Sequence, residues 1–281
     1  MSKQTFKSAE VVATDEGRQY HIGLAPGEVA PFILVTGEPN RARKVAKYFE
    51  EAGPEIANRE YVTITGKYKG VPISVMATGM GPDNTEIAFV ELAQIVKNPT
   101  IIRIGSCGGL RKGIELADLV ISTGAVRMEN TSTAYVLEGY PAVAHHECVL
   151  ALLEAAQRKK FPSHLGITAT ASGFYASQGR TVPGFTPRQP DLPAVLDSMN
   201  VANMEMEAST WFTLGSYRGF RTGCVCAVYA NRHANKFIDT ETKDLAEQRC
   251  VEVGLEAVSI LSAMDKAKGD NANWLPSMKT F

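Results

Sequence analysis

Three short apolar runs, each closed by a glycine turn, constrain this chain more than any other feature. They are "PFILVTGEPNR" (31–41), "PISVMATGMGPDN" (72–84) and "TIIRIGSCGG" (100–109). Runs of Val, Ile and Leu this short, without polar alternation, read as strands buried on both faces. Such strands need helices above and below them. The sequence between the runs supplies these: "EPNRARKVAKYFEEAG" (38–53) has helical spacing up to a glycine stop, and "NTEIAFVELAQIVKN" (84–98) repeats the pattern. Alternating strands and helices, with no Pro/Ser linker and no internal repeat, predict one α/β domain around a central mixed, twisted sheet.

The rest of the chain continues in the same way. "EYVTITGKYKGVPISVMATG" (60–79) reads as two strands about a "KYKG" turn, and "DLVISTGAV" (118–126) as a further strand. "HECVLALLEAAQRKK" (146–160) is a helix, followed by the strand "LGITATAS" (165–172). "VANMEMEA" starts as a strand and leads into "STWFTLGSYRG"; "RTGCVCAVYA" (221–230) is a buried strand, and a long amphipathic helix covers about 241–266. Residues 173–200, rich in Gly, Pro and polar residues, are too long for a plain connection and read as a functional loop or lid. Residues 1–19 form an N-terminal arm and 267–281 a tail, loose or packed on the surface.

Composition excludes several classes of function. A formal charge of −1 provides no general basic field for nucleic acid, so any anion site must be local. No apolar run approaches the roughly 20 residues of a membrane span, and "MSKQTFKSAEVV" lacks the apolar core of a signal peptide. Five cysteines without paired spacing read as reduced thiols of a cytoplasmic protein. Cys224 and Cys226, two apart on a strand, read as core thiols rather than a redox pair. "AHHEC" (144–148) has no partner cluster for a metal.

Two features point to chemistry. The glycine turns expose backbone N–H groups, and Arg41, Arg103, Thr78 and Ser106 stand beside them, a plausible phosphate cradle. The nucleotide loop GxxxxGK[ST] is absent, and "GSCGGL" does not fit the dinucleotide fingerprint. The second feature is "VANMEMEAST" (201–210), which places Glu205 and Glu207 in an apolar setting. Buried carboxylates are costly unless paired or hydrogen-bonded, so a polar partner is expected.

With "VTGEPNRARKVA", "ATGMGPDNTEIAFVEL", "RIGSCGGL" and "NMEMEAST" in this order and spacing, the chain resembles the nucleoside phosphorylase superfamily of the uridine phosphorylase type. The resemblance runs from about residue 21 to about residue 265 and implies that family's partly barrel-like sheet flanked by helices. "GFYASQGR" (173–180) is similar to the pattern F-Y-x-x-Q-x-R that separates uracil enzymes from purine enzymes.

The resemblance implies a role for each matched position. Gly37, Arg41, Arg103 and Ser106 hold phosphate, with Arg59 reaching the phosphate of a neighbouring subunit. The family usually has threonine at Ser106, and serine keeps the hydroxyl. His21 likewise crosses over to the ribose. Glu207 and Met206 grip the ribose hydroxyls, with Glu205 beside them, and Gln178, Arg180, Phe174 and Arg232 form the uracil end. Arg103, Glu207 and Arg41 are the expected catalytic residues. The expected reaction is phosphorolysis of uridine, with phosphate as co-substrate and no cofactor required. An obligate homodimer is expected, with a trimer of dimers as the larger alternative. Glu60 and Asn84 are candidates for a structural potassium or calcium ion between subunits. The alternatives are a purine nucleoside phosphorylase, a nucleoside hydrolase or a non-catalytic nucleoside-binding protein.

Overall fold

The computed structural model describes residues 5–278. In chain order its elements are β1 (Phe32–Thr36), α1 (Pro39–Ala46), β2 (Ile56–Asn58), β3 (Tyr61–Tyr68), β4 (Val71–Ala77) and α2 (Pro82–Ile95). Next come β5 (Thr100–Gly109), β6 (Leu119–Met128), β7 (Ala142–Val143), α3 (His146–Lys159), β8 (Ser163–Ala171) and α4 (Leu192–Ser198). The chain continues through β9 (Val201–Glu205), α5 (Ala208–Arg218), β10 (Arg221–Asn231), β11 (Lys236–Phe237) and α6 (Thr240–Lys268).

One sheet contains all these strands. Its open wing runs β2-β3-β4-β1-β5, and its other part closes on itself. β5 pairs parallel with β10, β10 antiparallel with β6, β6 parallel with β8, and β8 parallel with β9. β9 returns to β5 through Gly108↔Met204 and Gly109↔Asn203. Closure removes two sheet edges and brings the C-terminal ends of β5, β9 and β10 together. The sheet is therefore mixed and partly a barrel, as expected.

Both faces of the central strands are buried, which is why they read as unbroken apolar runs. Leu34, Val75, Ile104 and Val225 pack with Val45 of α1, Leu152 of α3 and Leu261 of α6. Ile33, Val35, Ile101 and Val228 pack on the opposite side with Phe89 of α2 and Trp211 and Phe212 of α5. Cys224 and Cys226 belong to this second core, in agreement with the reading as core thiols.

The structure corrects several expectations. Helix α1 ends at Ala46, well short of the glycine stop. The following segment pairs instead with β3, Glu50 N donating to Lys67 O at 2.8 Å and Gly53 N to Thr65 O at 2.8 Å. "GSCGG" is no turn but the second half of β5. A Cβ at Gly105 would lie 2.7 Å from the Arg103 guanidinium carbon, so glycine clears a lane for that side chain. The 173–200 segment, read from the sequence as a functional loop or lid, holds a short 3-10 turn at Ala176–Gln178 and helix α4. The C-terminal tail is tied down through its described residues. Trp274 is buried against the α3/α6 core, and its N–H donates to Glu147 at 2.9 Å.

Candidate active site

The strand ends at the barrel closure surround a cavity of about 500 Å³. Gly37, Arg41, Arg103, Ser106, Phe174, Gln178, Arg180, Glu205, Met206 and Glu207, ten of the residues expected from sequence, line it. These come from the β1–α1 turn, α1, β5, the 173–180 turn and the β9–α5 junction, so the barrel assembles residues far apart in sequence. His21, Arg59, Glu60, Asn84 and Arg232 are not among its lining residues.

The two glutamates share one partner. Arg103 donates from Nε to Glu205 at 2.9 Å and from Nη2 to Glu207 at 2.5 Å, all three side chains being almost fully buried. Burial opposes a charge on Arg103, but the carboxylates of Glu207 and Glu205 outweigh it and hold its pKa well above the usual guanidinium value. Glu205 is further engaged by Thr170 Oγ1 at 2.5 Å and by the N–H groups of Glu207 and Ala208 at 2.8 and 2.9 Å. It caps the start of α5 and anchors Arg103, so its donors are protein groups. Burial pushes its carboxyl up to about 7, with Arg103 opposing and Glu207 adding to the shift.

Glu207 is freer. Its Oε1 accepts from the backbone N–H of Gly81 at 2.7 Å. The "ATGMGPDN" turn therefore points an N–H at this carboxylate, an anion belonging to the protein itself. A Cβ at Gly37 would stand 3.2 Å from Gly79 O, so the first two glycine turns touch at the cavity wall.

Arg41 is held from several sides. It donates Nε to Glu247 at 2.7 Å, Nη1 to Thr36 Oγ1 at 3.3 Å and to Ile104 O at 3.4 Å, and Nη2 to the Tyr229 hydroxyl at 3.2 Å. Burial, ahead of the opposing pull of Arg41, pushes the Tyr229 phenol up to about 12, so it stays a neutral hydroxyl. Sequence reasoning missed Tyr229 and Glu247. Glu247 carried a signal: it sits three and four residues before Cys250 and Val251 on the buried stripe of α6.

At the other end of the cavity, Arg180 donates from Nη1 to Gln178 Oε1 at 2.6 Å and to Phe174 O at 2.5 Å. Its guanidinium also stacks over the Phe174 ring at 3.9 Å. Burial and the nearby Arg232 lower its pKa to about 10, so it remains a cation at neutral pH. Arg232 approaches from behind, its Cγ 3.3 Å from where a Gly108 Cβ would be.

The remaining expected residues lie apart from the cavity lining. His21 Nδ1 meets Glu91 Oε1 at 2.6 Å, Asn58 Nδ2 donates to His21 O at 2.8 Å, and Arg59 Nη2 donates to the Tyr20 hydroxyl at 2.8 Å. Glu60 and Asn84 flank Gly79, whose Cβ would meet Asn84 Nδ2 at 2.5 Å and Glu60 Cγ at 3.2 Å. Among the described residues, no three His, Cys, Asp or Glu side chains cluster to hold a metal, and no helix is long and apolar enough to cross a membrane.

Known proteins resemble this chain in sequence and in fold. The model of the Phosphorylase superfamily matches residues 31–271. The chain belongs to the phosphorylase superfamily. Within that superfamily it is 46% identical to the uridine phosphorylase of Thermococcus kodakarensis, covering 98% of this chain and 99% of that one. It is 33% identical to the uridine phosphorylase of Escherichia coli, covering 85% and 96%. A Trypanosoma brucei nucleoside phosphorylase, described as showing uridine phosphorylase activity, superposes with a TM-score of 0.81 at 26% identity, covering 88% of this chain and 98% of that one.

Proposed function

We infer that the chain catalyses the reversible phosphorolysis of uridine to uracil and ribose 1-phosphate. The observation that carries this is the cavity itself, which joins Arg41, Arg103 and Ser106 at one end to Gln178 and Arg180 at the other, across Glu207. A guanidinium has five N–H donors, so Arg103 can bind phosphate without releasing either carboxylate. Arg41 is the second cation at that end. Together they hold one phosphate oxygen below C1′, and positioning of this kind lowers barriers by about 7–11 kcal/mol in favourable cases.

Glu207, kept in one orientation by Arg103 and Gly81, accepts from the ribose hydroxyls over Met206. Positive charge builds at C1′ as the glycosidic bond breaks, so this carboxylate binds the transition state more tightly than the ground state. The departing uracil is anionic. Gln178 donates its amide to one carbonyl and Arg180 to the other, each charge-assisted bond contributing about 1.5–3 kcal/mol. Phosphate is the co-substrate in this scheme, and no step is routed through a cofactor.

His21 and Arg59 serve a neighbouring copy's site in this reading, since both sit outside the cavity lining of their own chain. The active unit is then a homodimer, which sedimentation under assay conditions checks. Glu60 and Asn84, both beside Gly79, each carry a side-chain oxygen of the hard type that a potassium or calcium ion between subunits would take. The five unpaired thiols suit the cytoplasm.

The test is uracil release from uridine with and without phosphate, run beside inosine. Release that needs phosphate and favours uridine is the expected result; release without phosphate would make this a hydrolase. A Gln178→Ala, Arg180→Ala double variant is expected to lose its preference for uridine over inosine by at least about 100-fold, from two charge-assisted bonds. Its phosphate KM should change little, and the reverse pattern would refute the uracil pocket.

A further inference from the structure

We propose that Glu247, a residue of α6 outside the cavity lining, is the positioning residue for phosphate, acting through Arg41. This rests on the phosphorolysis reading above. Glu247 is 3% exposed, and its two oxygens are divided between two cations of one helix. Oε1 accepts from Arg41 Nε at 2.7 Å, and Oε2 accepts from Lys44 Nζ. Arg41 and Lys44 are three residues apart on α1 and so lie on one face of it. A single buried carboxylate thus clamps the cradle helix to α6, one oxygen on the buried Arg41 and the other on the half-exposed Lys44.

The geometry explains why the clamp matters for phosphate in particular. Arg41 has five donors on three nitrogens. The carboxylate takes the Nε edge, Thr36 and Ile104 take Nη1, and Tyr229 meets Nη2. Thr36, Ile104 and Tyr229 offer only neutral oxygens at 3.2–3.4 Å, so the short charged bond from Glu247 sets the plane of the guanidinium. These bonds occupy four of the five donors, and the one left on Nη2 reaches a phosphate only while that plane is kept. Among the described residues, the hydrogen bonds of the uracil end join Arg180 to Phe174 and Gln178 and do not involve this clamp. Lys44 in turn keeps Glu247 extended toward α1. Its ammonium is half-exposed and also bonds Asp244 at 3.3 Å, so it is the weaker of the two ties.

Glu247→Gln keeps the shape and removes the charge. In initial-rate assays the expected change is a phosphate KM higher by about tenfold or more. The uridine KM at saturating phosphate should stay within about twofold of the parent's, as expected for additive, separated sites. Glu247→Asp, one methylene shorter but charged, should recover part of the loss. Lys44→Met should raise the phosphate KM by a smaller factor. Combined with Glu247→Gln it should add nothing further, because both changes act through one clamp. Equal rises in the KM for both substrates would overturn the proposal, as would an unchanged phosphate KM or fully additive effects of Lys44→Met and Glu247→Gln. A parent enzyme that releases uracil without phosphate would remove the phosphorolysis reading instead, and that control is run first. Should Glu247→Gln fold poorly, the comparison of Lys44→Met with the parent decides alone: a rise confined to the phosphate KM supports the clamp, and none refutes it.

Discussion

Arg103→Ala is expected to destabilise the protein by about 3–5 kcal/mol at pH 8, the typical cost of breaking a buried ion pair from one side. The change would strand two carboxylates, each less than a twentieth exposed, around an empty guanidinium site. Glu205 would retain Thr170 and two backbone N–H groups, and Glu207 would retain Gly81. Burial and the mutual repulsion of the two carboxylates would then act on Glu205 without Arg103 to oppose them, raising its carboxyl further from about 7. A carboxyl whose folded pKa lies above the ordinary value near 4.5 favours the folded state more as it gains its proton. The stability deficit should therefore shrink as pH falls from 8 towards 5. Urea denaturation at the two pH values measures this, and equal deficits would show that Arg103 does not neutralise the pair. Uracil release by the variant should also fall by at least about 100-fold, the usual loss for one charge-stabilising donor.

The second large effect lies far from the cavity. Glu147, in the first turn of α3, is completely buried and meets Arg221 Nη1 at 2.8 Å and Lys268 Nζ at 3.0 Å. Burial alone would raise its pKa, but the Trp274 N–H, Arg221 and Lys268 outweigh it and hold the carboxyl down to about 2. An ordinary glutamate titrates near 4.5. The folded pKa is depressed, so this stabilisation is fully present above pH 4.5 and is lost as pH falls from there towards 2. The difference corresponds to about 3 kcal/mol. Glu147→Gln should thus be less stable than the parent by about that amount at pH 7, and the gap should close between pH 4.5 and 2. A gap that stays constant over this range would assign the loss to packing.

The cost of burial was legible from the sequence, but not which groups would meet it. "VANMEMEAST" announced two carboxylates in need of partners, yet nothing in its spacing names Arg103, 102 residues away. That pairing exists because β5 and β9 meet at the barrel closure, through only two paired positions. The same holds for Glu147 with Trp274 and for Arg41 with Glu247. The length of α1 was misread for a related reason. Its amphipathic spacing runs on past Ala46, but the backbone of β3 competes for the same segment and wins it. In β5 the glycines looked like a turn, whereas they make room for Arg103 and for close strand packing.

The sequence alone determined what local chemistry can encode. Apolar runs without alternation demanded strands covered on both faces, helical spacing supplied the covers, and the "FYASQGR" and "MEME" segments carried the polar side chains that the fold then brings into one cavity. Only the tertiary structure decided which distant groups neutralise each other: Arg103 between two glutamates, Gly81 on Glu207, Glu247 behind Arg41. Periodicity specifies the face a residue occupies, because that depends on its neighbours in the chain. It does not specify strand order or register, which arise when several buried faces must be satisfied at once, and buried charges find their partners only at that stage.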